Sequence, residues 1–187
     1  MLELLVTVAL VGILSAVAVP SFNSALKRNA RESFMLDLNS ALGLSRSESI
    51  TGNSNVSICR STNSTNCVGS TAGDWNDGWI IFTDSGTSGI VDGTDTIIQV
   101  QQAMNGQMTI VLKDSGNGNV TGDYLEFNAD GFIESISTGA YFKFCSADNN
   151  SEYSRAIWIA ITGRASNSLD DADCVHNDMV GNNLSCP

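Results

Sequence analysis

Histidine occurs once in these 187 residues, at His176, within a tail that also carries Asp170, Asp171, Asp173 and Asp178. A lone imidazole among acids gives no basis for a serine or cysteine triad, so no catalytic residue is expected. Cys174 beside it has ligand chemistry, but one such pair is a weak metal signal, and a disulfide is the expected fate of that cysteine. Basic residues are also scarce: nine Lys and Arg stand against twenty Asp and Glu. In residues 1–52 the charges cancel, so the whole formal charge of -11 falls on residues 53–187, whose cations are Arg60, Lys113, Lys143, Arg155 and Arg164. Such a surface repels phosphate backbones and anionic lipid. The loop from Asp84 to Asp95, with Asp92 and three glycines, has the composition of a weak calcium loop. Its spacing departs from the EF-hand pattern, and a solvated turn is expected there, with no metal or cofactor. No internal repeat is evident.

Charge is missing altogether from Leu4 to Val19, where Thr7, Gly12 and Ser15 are the only breaks in an apolar run. Residues 1–22 as one helix measure roughly 33 Å, the thickness of a bilayer's hydrocarbon core. Glu3 heads this run, and an acid in a membrane core costs roughly 2.5 to 3.5 kcal/mol, so a carboxylate there implies a dedicated partner. Ala16-Val17-Ala18 fits an A-x-A cleavage site, but no basic region precedes the run, and a retained helix is expected in place of a cleaved signal. Beyond Pro20, Phe22, Leu26, Ala30, Phe34, Leu38 and Leu42 recur at every fourth position, with Met35 and Leu36 widening the stripe. This periodicity predicts one long amphipathic helix, stopped at Gly52. Lys27, Arg28 and Arg31 form a basic cluster that suits lipid headgroups, acids of a neighbour or solvent equally.

From Val56 onward, β-rich runs alternate with Gly, Asn, Asp and Ser turns. Strands are predicted over 56–60, 78–83, 96–101, 108–113, 124–127, 140–145 and 156–162, forming one β domain of ordinary size. Ile157, Ile159 and Ile161 alternate on the last strand and are expected to share one face, packed against the long helix. Two domains follow: residues 1–52, with a membrane-spanning first part (1–22) and an amphipathic second part (23–52), and the β domain, 53–187.

The order Glu3-Leu4-Leu5-Val6-Thr7, an apolar run and Pro20 resembles the N-terminus of type IV pilins and of type II secretion pseudopilins. The segment Trp75-Asn76-Asp77-Gly78-Trp79-Ile80-Ile81-Phe82-Thr83-Asp84 is similar to the W-x-x-G-W-x-x-F-x-D element of the GspH/FimT family. Phe127 with Gly131, the strand Phe142 to Cys145, and Gly163-Arg164 follow in that family's order. The resemblance departs at Met1, which stands closer to the acid than a prepilin peptidase's cut leaves it; a late start or a trimmed chain is expected.

The resemblance implies an α+β, type IV pilin-like fold, a long N-terminal helix packed on an antiparallel sheet. It implies no enzyme but a minor pilin of the FimU/FimT kind, assembling into a type IV pilus in its tip or priming complex. The alternatives it carries are a type II secretion pseudopilin and a FimT-type DNA receptor. Implied partners are other minor pilins, the major pilin or pseudopilins, the inner-membrane assembly platform and the prepilin peptidase. The implied location is the inner membrane before assembly and the fibre afterwards. Glu3 would neutralise a neighbour's terminal amine. DNA capture in that family uses basic residues after the Gly-Arg strand; here Ala165, Ser166 and Asn167 follow Arg164, so duplex binding is not expected.

Five cysteines in an exported domain point to an oxidising compartment. Cys59 and Cys67 flank a short polar loop, and a bridge closing it contributes about 2 to 3 kcal/mol. Cys145 is left to pair with Cys174 or Cys186. The family resemblance implies Cys145 with Cys174.

Overall fold

The computed structural model describes residues 2–69, 73–104, 108–146, 154–168, 181, 184 and 186; the side chains of 2, 17–21, 23, 24, 27 and 146 lie outside that description. The chain divides into two compact units, 1–35 and 36–187.

One helix, α1, runs Leu2–Gly52 and continues through Pro20. Proline has no N–H to donate, so one helical hydrogen bond is missing at that point. In the first unit the side chains of Leu4, Leu5, Val6, Val8, Leu10, Val11, Ile13 and Leu14 are exposed. Phe22 and Leu26 are exposed too, contrary to the expected continuous stripe. The reason is geometric: at 3.6 residues per turn, a spacing of four overshoots by about 40° each step, so Phe22 and Leu42 stand about 200° apart around the axis.

In the second unit, the buried face of α1 is Leu38, Ala41, Leu42, Ser45 and Ser49, while Leu36 is 66% exposed. Two serines thus take core positions that an apolar pattern does not reveal. Ser45 Oγ donates to the Ala41 carbonyl at 2.9 Å and Ser49 Oγ to that of Arg46 at 2.9 Å, so neither hydroxyl is left unsatisfied. The helix ends as a Schellman motif. Ser54 N–H donates to Ser49 O and Asn53 N–H to Ile50 O, with Asn53 at φ 48°. The left-handed residue is therefore Asn53, and Gly52 is the last helical residue.

The strands are β1 (Val56–Arg60), β2 (Gly78–Thr83), β3 (Ile97–Gln102), β4 (Met108–Asp114), β5 (Tyr124–Phe127), β6 (Ala140–Ser146), β7 (Arg155–Ile159) and β8 (Ala165–Asn167). They form two four-stranded sheets, ordered β3-β2-β1-β5 and β4-β6-β7-β8. All pairings are antiparallel. The fold is α+β and pilin-like, a helix packed on antiparallel sheets. On the first sheet Asn53 to Val56 lead from the helix into a strand buried along its whole length. On the second, Phe142, Phe144, Ile157 and Ile159 are fully buried.

The last predicted strand is shorter than expected. β7 stops at Ile159, Gly163 turns the chain with φ +72°, and β8 returns beside β7. Ile161 sits in that turn, 45% exposed, and does not share the buried face of Ile157 and Ile159.

Both disulfides of the described residues close onto strands. Cys59 joins Cys67, as the short loop suggested, with Cα atoms 5.6 Å apart. Cys145 joins Cys186, not Cys174. The cause is the packing of Leu184, 2% exposed, against Tyr141 and Ala156 on β6 and β7, with Ser154 Oγ donating to its carbonyl. That anchor delivers Cys186, two residues on, to Cys145. Cys174, His176 and the aspartates around them lie outside the described residues.

Candidate functional site

Glu3 lies in the first turn of α1, exposed. Helix N-termini favour an acid, since their free N–H groups carry partial positive charge. Thr7 Oγ1 donates to the Leu4 carbonyl at 2.9 Å and Ser15 Oγ to that of Val11 at 2.7 Å. The polar interruptions of the apolar run are thereby satisfied within their own helix, as an apolar medium requires. No helix among the described residues is long and apolar enough to cross a membrane. The sequence's apolar run extends past Ala16 into residues whose side chains lie outside the description, as does that of Pro20. From the basic cluster, Arg31 pairs with Glu32 at 3.0 Å.

The tryptophan element is a structural junction. A single 3₁₀ turn, Trp75–Asp77, precedes β2; Asp74 caps it by accepting from Asn76 N–H at 3.0 Å and also accepts from Ile110 N–H of β4 at 2.8 Å. One carboxylate thus ties the two sheets together. Burial raises its pKa, against the lowering effect of those two N–H groups. Trp75, fully buried, meets Phe142 of the second sheet edge-on at 4.7 Å and donates its indole N–H to Asp123 at 2.8 Å. Asp123, 3% exposed, accepts also from Arg60 Nε at 2.9 Å and from Gly73 N–H. Gly78, at φ 109°, lets β3 approach; a Cβ there would lie 2.5 Å from the Gln101 carbonyl. Trp79 and Phe82 are core, Phe82 in a cluster with Cys59 and Ile80.

Asp84 closes the element. Its Oδ2 accepts from Ser57 Oγ at 2.6 Å and from Gly89 N–H at 2.7 Å, while Oδ1 is buried with no partner among the described residues. Burial raises its pKa despite those two bonds, and the nearby Asp95 and Asp92 push the same way. The other loop acids serve the backbone. Asp92 accepts from Thr87 N–H, and Asp95 accepts from Ser85 N–H, Ser85 Oγ and Asp92 N–H. Asp95 is shifted down: burial, the largest single influence, would raise its pKa, but those bonds together outweigh it. The acids are thus employed as turn acceptors, and no cluster of three metal-ligating side chains exists among the described residues.

Gly163 and Arg164 fall beside α1. A Cβ on Gly163 would come within 2.1 Å of the Gly131 carbonyl, and Arg46 of the helix donates its Nε–H to that same carbonyl at 3.2 Å. Asn39 Nδ2 donates to Asn167 Oδ1 at 2.9 Å. Between helix and turn lies a groove of about 460 Å³, lined by Asn39, Gly43, Arg46, Ser47, Ile50 and residues 163–165. Sequence reading singled out Arg164 but not Arg46, which comes from a helix face that looks merely solvated. The two families of sequence-predicted residues therefore separate: the Trp75–Asp84 element stitches the sheets, and Gly163-Arg164 borders an open groove.

A family model described as type II transport protein GspH matches residues 36–163. The chain belongs to the GspH family. The match takes in the tryptophan element and ends at Gly163, one residue before Arg164. Among solved structures, the type IV minor pilin FimU of Pseudomonas aeruginosa is similar, with a TM-score of 0.54 and 21% identity over 74% of this chain and 88% of FimU. A second crystal form of FimU gives 0.54 and 20% over 74% and 92%. The minor pseudopilin EpsH of the Vibrio cholerae type 2 secretion system gives 0.48 and 7% over 73% and 94%. At these identities the likeness to FimU is one of fold. No curated protein matches the chain significantly. Within the GspH family, then, this chain keeps the helix-on-sheets architecture.

Proposed function

We propose that this GspH-family chain is a minor pilin, assembling through α1 into a type IV pilus as part of the tip or priming complex. The carrying observation is the exposed apolar run of the first unit, headed by Glu3 and free of any other charge up to Val19. Surface of that kind, with its polar hydroxyls already satisfied, suits lipid before assembly and a bundle of like helices afterwards. In this reading residues 1–22 span the inner membrane, with 23–52 and the β domain 53–187 on its outer side. Glu3 guides docking by pairing with a neighbour's terminal amine, and Pro20 lies at the end of the buried run. Prepilin peptidase processes the chain, the inner-membrane platform assembles it, and it performs no bond chemistry.

The family's description as a type II transport protein favours a second reading, a pseudopilin of the GspH kind. Electron microscopy of sheared fibres, in a strain lacking this gene and in the complemented strain, separates the two. Loss of pili restored by complementation is expected. Normal pili with impaired protein secretion would replace the first reading by the second.

A further inference from the structure

We infer that the groove between the second half of α1 and the β7–β8 turn is a docking site for an acidic segment of a neighbouring pilin-class subunit. This rests on the minor pilin or pseudopilin reading and names where such a neighbour binds.

The first observation is a local inversion of charge. The β domain carries the chain's full surplus of -11, yet the groove is lined by two guanidinium groups, Arg46 and Arg164, and by no acid. None of the ion pairs among the described residues includes either arginine. Arg46 is half-buried and held in place by its bond to the Gly131 carbonyl; Arg164 is exposed at the opposite wall. Arginine's planar fork matches a carboxylate in geometry as well as charge, and fixing one fork beforehand lowers the ordering cost of binding.

The second observation is the apolar surround. Ile50 lines the groove and is 47% exposed; Gly131 lies under it, where an added Cβ would come 2.7 Å from Ile50 Cδ1. Next to Gly131 stands Phe132, 47% exposed, and the same loop is tied to Ile161 through the bond from Ile133 N–H to the Ile161 carbonyl. Arginine and an aromatic residue amid exposed aliphatics is the composition of protein-binding hot spots. Two cations suit a segment bearing one or two carboxylates. A polyanion such as duplex DNA would gain little from two contacts and would meet the repulsion of the acidic surface around them. An acidic protein segment is also steered toward this basic groove by the net acidity of the domain around it, which helps fix register between subunits.

Arg164→Lys makes the site chemically addressable. The exposed lysine supplies an amine, and a carbodiimide activates any carboxylate in contact with it, so an amide forms and a urea leaves. The full-length variant, expressed in the deletion strain, is treated in sheared fibres and in envelope membranes, and adducts are mapped by peptide mass. The expected result is an amide joining position 164 to an Asp or Glu of a different subunit, absent in Arg164→Gln, whose recovery with its neighbours falls about tenfold. The chain present in fibres or envelope complexes with no adduct at position 164, or with one only to its own peptides, overturns the groove and leaves the pilin reading standing. Absence of the chain from both fractions overturns that reading and this one together. Duplex DNA retained by the wild type and lost in Arg164→Gln, without an adduct, replaces the protein occupant with a nucleic acid.

Discussion

Asp123 satisfies two buried donors at once, so its loss is costly to the fold. It takes the Trp75 indole N–H and the Arg60 Nε–H on separate oxygens, and both donors are buried. In Asp123→Ala the Arg60 charge loses its close, buried partner, and its contact to half-exposed Asp77 at 3.4 Å is a looser one. Breaking a buried pair from one side costs about 3 to 5 kcal/mol, and a urea midpoint lowered accordingly, with disulfides intact, is the expected outcome; a shift within error would deny the network its role. Asp84 behaves oppositely. Its folded-state pKa lies above the ordinary value of 3.8, chiefly through burial, so the fold favours the neutral acid. That contribution is fully present below the ordinary pKa and is lost as pH rises through the raised folded value. The stability of the wild type relative to Asp84→Asn should therefore fall as pH rises upward from the ordinary value of 3.8; a rise with increasing pH there would contradict it. From sequence, the strand that carries Trp79 and Phe82 was legible, because its β-rich run is bounded by polar turns. The partner of Trp75, 48 positions away in Asp123, was not, since nothing local in a Val-Thr-Gly-Asp turn announces a buried acceptor.

At the scale of elements, strands bounded by Gly and Asn clusters were legible nearly to the residue: β1, β2 and β5 begin and end where the pattern changes. The end of the second sheet was not. Ile161 extends the alternation of β7 in sequence, but the Ala160–Gly163 turn, closed by Gly163 N–H to the Ala160 carbonyl at 2.8 Å, overrides it and creates β8. Likewise the apolar stripe of α1 marked part of the buried face, with Leu38 and Leu42 in place, but not its full extent, because Ser45 and Ser49 stand in core positions with their hydroxyls turned to helix carbonyls. Disulfide connectivity lay beyond the sequence for a similar reason: Leu184, a single apolar residue near the chain end, decides it by its burial. Bridges with longer loops constrain the unfolded chain more. Cys59–Cys67 spans a separation of 8 and Cys145–Cys186 one of 41. Removing the second, as Cys145→Ala with Cys186→Ala, should cost about 4 kcal/mol against about 2.5 kcal/mol for the first pair. Denaturant unfolding of the two double variants tests the ranking, and non-reduced peptide mapping should recover Cys145 bound to Cys186. A fragment joining Cys145 to Cys174 would break the argument at its base.

Charge and apolar surface are segregated along the molecule, and that segregation is what makes it an assembling subunit in the proposed reading. The first helical segment offers uncharged apolar side chains headed by one acid; the β domain offers an acidic exterior with a basic groove. The family and fold were legible because the Glu3-to-Pro20 run and the tryptophan element are dense local patterns. The groove was not, because Arg46 and Arg164 are 118 positions apart and meet only when the turn after β7 reaches the helix. Of the two surfaces, the apolar one makes the sharper demand, since an acid in a water-poor fibre core has to find a cation. If Glu3 pairs there with a neighbour's terminal amine, its removal strands that amine, at a cost of about 3 to 5 kcal/mol, or at least about a hundredfold in docking equilibrium. Glu3→Leu should accordingly reach the membrane at normal abundance with both disulfides formed, because Glu3 is an exposed residue of the first unit while both disulfides lie in the second. Its ratio of fibre-bound to membrane-bound chain, read by immunoblot of sheared fibres, should drop to about a hundredth or less of the wild-type value, matching that docking loss. An unchanged ratio would mean that the apolar run alone drives entry into the fibre, leaving the acid without the role assigned to it. A variant missing from the membrane as well would place the function of Glu3 in insertion and not in docking.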